Sequence, residues 1–237
     1  YKIDEFGQII TSESDIAIDD FTPASQCASC HQSHYDEWSN SMHAYAMKDP
    51  LFFSGWNYEK GTHGDIGERF CIQCHSPVAF VTGKNLHNIN TAEDLVDSGT
   101  AEVILEGIGC DFCHSVTGPS STIHTPESGA AVAEYHLYPG ENTKYGSIEN
   151  PQQSEGIHQS EYNPLFRFSE SCLPCHDMTV RGVDVERTYG EWDAVPQFKM
   201  GGGTPCQECH MPIEKRQAAS GGPIREVHRH TFVGVDL

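Results

Sequence analysis

Ten cysteines punctuate the 237-residue chain, and all ten fall into pairs spaced i, i+3. They are Cys27, Cys30, Cys71, Cys74, Cys110, Cys113, Cys172, Cys175, Cys206 and Cys209, and histidine directly follows each second member. The five motifs therefore read CASCH (Cys27–His31), CIQCH (Cys71–His75), CDFCH (Cys110–His114), CLPCH (Cys172–His176) and CQECH (Cys206–His210). Cys-x-x-Cys-His is the signature through which a chain attaches c-type haem. The thiols bond to the porphyrin vinyl groups, and the histidine becomes an axial ligand of the iron. Structural zinc, a redox disulfide or a disulfide framework would each explain cysteine pairs. None explains the histidine. It supplies 14 of 237 residues, so five out of five by chance is on the order of one in a million. The expectation is five covalently bound haem c groups, with His31, His75, His114, His176 and His210 as proximal iron ligands.

Nine histidines remain for the opposite axial positions: His34, His43, His63, His87, His124, His136, His158, His228 and His230. Five irons need at most five of them, so bis-histidine ligation is the economical reading. A six-coordinate iron suits electron transfer rather than substrate binding. Met42, Met47, Met178, Met200 and Met211 compete as sixth ligands, although methionine beside haem is more often packing. His34 lies three residues past His31 on the same turn and cannot reach the far side of that haem. It is expected at the surface or against a propionate. In His228-Arg229-His230 an extended backbone points both imidazoles the same way, and one of the two is expected to bind iron.

The elements that must position these residues are short. Each haem has about 47 residues on average, and a porphyrin buries apolar area at roughly 25 cal/mol per Å². The haems are therefore expected to stand in for a side-chain core. The fold class this implies is mainly α with much irregular coil, haem-packed, with little regular secondary structure. Helices are expected near 32–47, 91–105 and 188–192, with turn-rich stretches at 118–121, 139–142, 201–205 and 220–223. Residues 115–168 form a long insert, and such loops usually carry function or cover a cofactor. Residues 1–26 hold no haem motif and several acids, and read as an extended arm or edge strand. Residues 27–237 form a single five-haem domain. His43 and His87 each follow a motif histidine by twelve positions, a faint internal echo.

Acidic residues outnumber basic ones 34 to 14, for a formal charge of −20. That disfavours nucleic acid and anionic membranes and favours basic redox partner proteins or cations. No apolar run approaches transmembrane length. Haem c attachment takes place after export, so an extracytoplasmic location is expected, periplasmic or extracellular, with any signal peptide already removed.

The chain also resembles the multihaem c-type cytochromes related to the tetrahaem cytochrome of nitrification. The resemblance spans most of residues 27–234. It includes Trp38-Ser39-Asn40-Ser41-Met42-His43-Ala44, Cys74-His75-Ser76-Pro77-Val78-Ala79 and Glu106-Gly107-Ile108-Gly109-Cys110-Asp111-Phe112-Cys113-His114. It continues with Thr188-Tyr189-Gly190-Glu191-Trp192, Cys209-His210-Met211-Pro212 and His228-Arg229-His230-Thr231-Phe232-Val233-Gly234. It implies distal ligation by His43 and by His230 of the terminal His-Thr-Phe stretch, with a weaker match at His158. His87, His124 and His136 compete for the remaining positions. Some relatives polymerise into conductive filaments, so self-assembly is implied too, and His63, His124 or His136 could ligate a haem of a neighbouring subunit.

Two function classes follow. The first is an electron carrier, either a shuttle or a subunit of a conductive filament. The second is an oxidoreductase acting on a small nitrogen or sulfur compound at a five-coordinate haem. Pentahaem nitrite reductases mark that haem with lysine in place of the motif histidine. All five motifs here end in histidine, so electron transfer with five low-spin haems is the expectation.

Overall fold

In the computed structural model every Cys-x-x-Cys-His motif lies on a turn of helix. That geometry explains the spacing, because residues i, i+3 and i+4 share one helical face. The two thiols and the imidazole are thereby presented together. The structure describes residues 2–3, 9–10, 16–118, 121–124, 131–154, 156–180, 183–199 and 203–234.

The first motif sits inside α1 (Ala24–Ser39), which bends at His31 (φ −108°, ψ 38°). A short α2 (Met42–Tyr45) follows. Next come α3 (Pro50–His63) and α4 (Asp65–His75), and the second motif closes α4. Asp49 caps α3 by accepting the Leu51 N–H, and Pro50 occupies the first turn, where its missing N–H costs nothing. Gly64 alone joins the two helices with φ +59°, a conformation that favours glycine. Gly67 lets α4 press on α3, since a Cβ there would sit 2.3 Å from the Glu59 carbonyl oxygen.

Helices α5 (Pro77–Val81), α6 (Ala92–Asp97) and α7 (Glu102–Leu105) lead to α8 (Cys110–His114), which is the third motif itself. After that the described chain is mostly coil and paired strands. Strands β1 (Lys2–Ile3) and β2 (Ile9–Ile10) pair antiparallel near the N-terminus. In the insert β3 (Ser121–His124) pairs antiparallel with β4 (Ala131–Glu134), and β5 (Thr143–Gly146) runs parallel to β6 (Gln159–Tyr162). The fourth motif spans Cys172 and α9 (Leu173–His176). It is followed by a hairpin of β7 (Met178–Val180) and β8 (Val183–Glu186), then α10 (Thr188–Ala194) and α11 (Pro196–Lys199). The fifth motif is α12 (Cys206–His210), and a hairpin of β9 (Ile213–Gln217) and β10 (Ile224–His228) ends the regular structure.

Expected helices near 32–47, 91–105 and 188–192 appear as α1–α2, α6–α7 and α10. The pair α3–α4 was not anticipated. Nor was the side-chain core it helps to build. Trp56, Phe80, Ile72, Leu86, Leu95 and Ile104 are all buried there, joined by Phe21, Met47 and Phe112. The haems are therefore not the whole core. Residues 21–112 bury apolar side chains of their own, while after Phe112 the described buried hydrophobics are only Ala133, Met178 and Val227. Met47 belongs to this core as packing. Phe21 carries the end of the N-terminal segment into it, and α1 begins at Ala24. Most of residues 1–15, and Met200, lie outside the described residues.

Trp56 is 1 % exposed and donates its indole N–H to the Glu68 carbonyl. Trp56→Ala should cost about 3–5 kcal/mol of stability through cavity formation. Leu51→Ala, at a side chain 80 % exposed, should stay within about 0.5 kcal/mol. Denaturant titration of the haem-loaded protein checks both.

Candidate functional site

All ten cysteines are free thiols, which leaves no disulfide framework. Burial pushes Cys71 up to about 11 and Cys113 up to about 12, whereas the hydrogen bond from Cys172 holds Cys206 down at about 6. Thiols of different motifs also touch. Cys27 hydrogen-bonds with Cys110, Cys74 with Cys175, and Cys172 with Cys206. Motif one therefore abuts motif three, and motif four abuts both two and five.

The motif histidines share a second feature. The Nδ1–H of His31 donates to the Ala218 carbonyl, that of His75 to Ala46, that of His114 to Tyr145 and that of His210 to Val233, at 2.5–3.1 Å. His176 places Nδ1 4.0 Å from the Glu186 carboxylate. The four hydrogen bonds to backbone carbonyls fix the tautomer that leaves Nε2 free to bind a metal. Burial lowers the pKa of His75, His114 and His176, keeping them in the neutral form that ligation requires.

Three motif histidines face a second imidazole from a distant part of the chain. His31 faces His158 with ring centres 6.2 Å apart and planes 22° from parallel. His114 faces His230 at 6.1 Å and 28°, and His176 faces His43 at 6.2 Å and 82°. A metal held between two imidazole nitrogens at about 2.0 Å each places ring centres about 6.2 Å apart. Together with the paired thiols on one helical face, these residues fit haem c. His31 and His34 have the same separation, but both project from α1, three residues apart.

The other histidines have different surroundings. His87 sits 3.7 Å from Glu68, and His63 bonds to Glu59 at 2.8 Å. His136 packs on Gly118, and the side chain of His124 lies outside what the structure describes. His228 donates Nδ1–H to the Met211 carbonyl, whereas His230, beyond the end of β10, faces a motif histidine. His75 carries the Phe52 ring stacked at 4.1 Å. His34, expected at the surface or against a propionate, is half-buried and lies edge-on to His230 at 4.7 Å. Its pKa falls to about 4 through burial and the nearby Arg216.

What aligns the motifs is carried by residues that the signature leaves open. Gln73, fully buried, accepts the Ala133 N–H, and Gln207 donates to the Phe168 carbonyl and Ser171 Oγ. Asp111 accepts from the Thr22 N–H and pairs with Lys144, the neighbour of the Tyr145 carbonyl that orients His114. Ahead of motif three, Ile108 N–H donates to the His43 carbonyl at 3.1 Å. Gly107, at φ +73°, is needed there because a Cβ would lie 2.5 Å from that oxygen. Phe232, whose φ of +46° is rare for a bulky residue, puts its ring 4.2 Å from His43.

The family model for cytochrome c554 and c-prime matches residues 26–115, the segment bearing the first three motifs. A penta-heme cytochrome c552 from Thermochromatium tepidum has a similar structure, with a TM-score of 0.63 at 24 % identity. The match covers 91 % of this chain and 57 % of that one, so the chain spans little more than half its relative's length. The likeness is one of fold, and it bears out the expected fold class. A search of curated proteins returns no match.

Glu106 lies buried beside the first and third motifs and accepts the Ala24 N–H at 2.9 Å. Burial, reinforced by Glu102 and Asp111, raises its pKa from 4.5 to about 7 despite that hydrogen bond. A carboxyl raised on folding contributes its full stability below pH 4.5 and loses it as pH rises through about 7. Glu106→Gln should therefore match the parent below pH 4.5 and exceed it in stability above pH 7. Denaturant titrations of the haem-loaded proteins at both ends of the range decide this.

Proposed function

We infer that this chain, a multihaem c-type cytochrome by its motifs and its fold, relays electrons through five haem c groups outside the cytoplasm. Bound haem supplies a one-electron ferric/ferrous couple. The chain's own residues would attach it, close both axial positions at the irons of His31, His114 and His176, and set neighbouring groups close together. The observation that carries the reading is the set of three imidazole pairs at 6.1–6.2 Å. In it His158, His230 and His43 serve as distal ligands opposite His31, His114 and His176. An iron held from both sides has no position for substrate, which favours transfer over catalysis. The thiol contacts between motifs support one arrangement of the relay. Motif one contacts three and motif four contacts two and five, with Cys113 near Cys172 and Cys175, so haems held there would follow the same neighbours.

His158→Ala, His230→Ala and His43→Ala should each convert about one-fifth of the haem iron to high spin while leaving all five groups attached. EPR and optical spectra read the conversion, and a variant that stays fully low-spin removes that histidine from the set.

Among the described residues no helix is long and apolar enough to cross a membrane. Export follows from the chemistry of haem c attachment. The charge of −20 suits a basic redox partner. The same relay serves a diffusing shuttle or a filament subunit in which a haem takes a ligand from its neighbour. Assembly against that charge should strengthen with salt, divalent cations or lower pH. Light scattering across those conditions, with electron microscopy of the product, reads it. A monomer throughout would establish the shuttle.

A further inference from the structure

Glu37 stands near the end of α1, two turns beyond the first motif, with its side chain only 8 % exposed. All four acceptor positions of its carboxylate are taken. Oε1 accepts from Arg216 Nη1 at 2.6 Å and Arg229 Nε at 3.0 Å. Oε2 accepts from Arg216 Nη2 at 2.6 Å and from the backbone N–H of His230 at 2.9 Å. A carboxylate can accept about four hydrogen bonds, and the Arg216 fork is the bidentate geometry that only arginine offers. One anion therefore ties α1 to β9, to the residue after β10 and to the backbone of His230. The same helix presents His34 edge-on to the His230 ring. His230 Nδ1 donates to the His228 carbonyl at 3.1 Å, which leaves Nε2 unprotonated and able to bind a metal.

We propose that Glu37 is the positioning residue for the distal ligand His230, holding its backbone through the Arg216–Arg229 clamp so that the imidazole stays opposite His114. The proposal rests on the reading of His230 as an iron ligand. It makes the helix of the first haem the mount for the ligand of the third, and these two haems belong to motifs already in contact through Cys27 and Cys110. Substitution by glutamine removes the charge and turns an amide NH₂ toward the donors, leaving the two guanidinium groups only the more distant Glu214 carboxylate, at 3.5 Å from Arg216 and 3.9 Å from Arg229.

The test compares haem-loaded Glu37→Gln, His230→Ala and the double variant by EPR, optical spectroscopy and haem quantitation. Glu37→Gln should convert up to about one-fifth of the iron to high spin, or shift one low-spin EPR signal, with five haems retained. The double variant should look like His230→Ala alone, because both changes act on one coordination bond. Arg216→Lys keeps the charge but loses the fork, and should give the same signature more weakly. If His230→Ala alters the spectrum and Glu37→Gln does not, the proposal fails while the ligand reading stands. If His230→Ala leaves the spectrum unchanged, the ligand reading fails and takes the proposal with it. Haem loss or perturbation spread over all centres in both Glu37→Gln and Arg216→Lys would make the clamp a folding device and overturn the proposal.

Discussion

Two imidazoles must stand about 6.2 Å apart for one iron to be held between them. Much of this structure serves that one distance. Each motif delivers its own histidine by a turn of helix, and that half of the geometry is local. The facing imidazole is not local. His158 comes from the insert, His43 from the start of α2 and His230 from beyond β10. Coil-rich segments are suited to this because they can be shaped around a ligand without breaking a long helix or sheet. Residues 21–112 supply the rigid body, with a packed side-chain core. The remainder wraps back onto it, and in the proposed reading metal–ligand bonds would join the two.

The motifs are aligned by side chains with no part in attachment. Gln73, Asp111 and Gln207 occupy the variable positions between paired cysteines, and each is buried and hydrogen-bonded to another segment. A buried polar side chain without partners would be costly, so each such residue specifies one docking arrangement. The Glu106-Gly107-Ile108-Gly109 stretch acts similarly on His43, through one N–H and the absence of a Cβ. The docking of one motif on another is thus encoded beside the attachment motifs, in residues that share their helical turns.

The attachment chemistry was legible in the sequence because it rests on i, i+3, i+4 spacing, which is local. The mainly helical, coil-rich class followed from the small number of residues per haem. The same reasoning missed the core of residues 21–112, since an average of 47 residues per haem conceals an uneven distribution. It also passed over α3, although Asp49-Pro50 is a recognisable helix start and Leu51, Phe52, Phe53 and Trp56 carry helical spacing. The pairing of histidines could not be read, because it depends on contacts between segments far apart in sequence. Glu37 offered no signal among 34 acidic residues. The helix position of His34 excludes it from its own haem, but that argument is silent about its contact with His230.

A crystal structure of the haem-loaded protein tests the central claim most directly. This account requires the Nε2 atoms of His158, His230 and His43 on the irons carried by His31, His114 and His176. A different ligand, or an open axial position, at any of those three irons would contradict it.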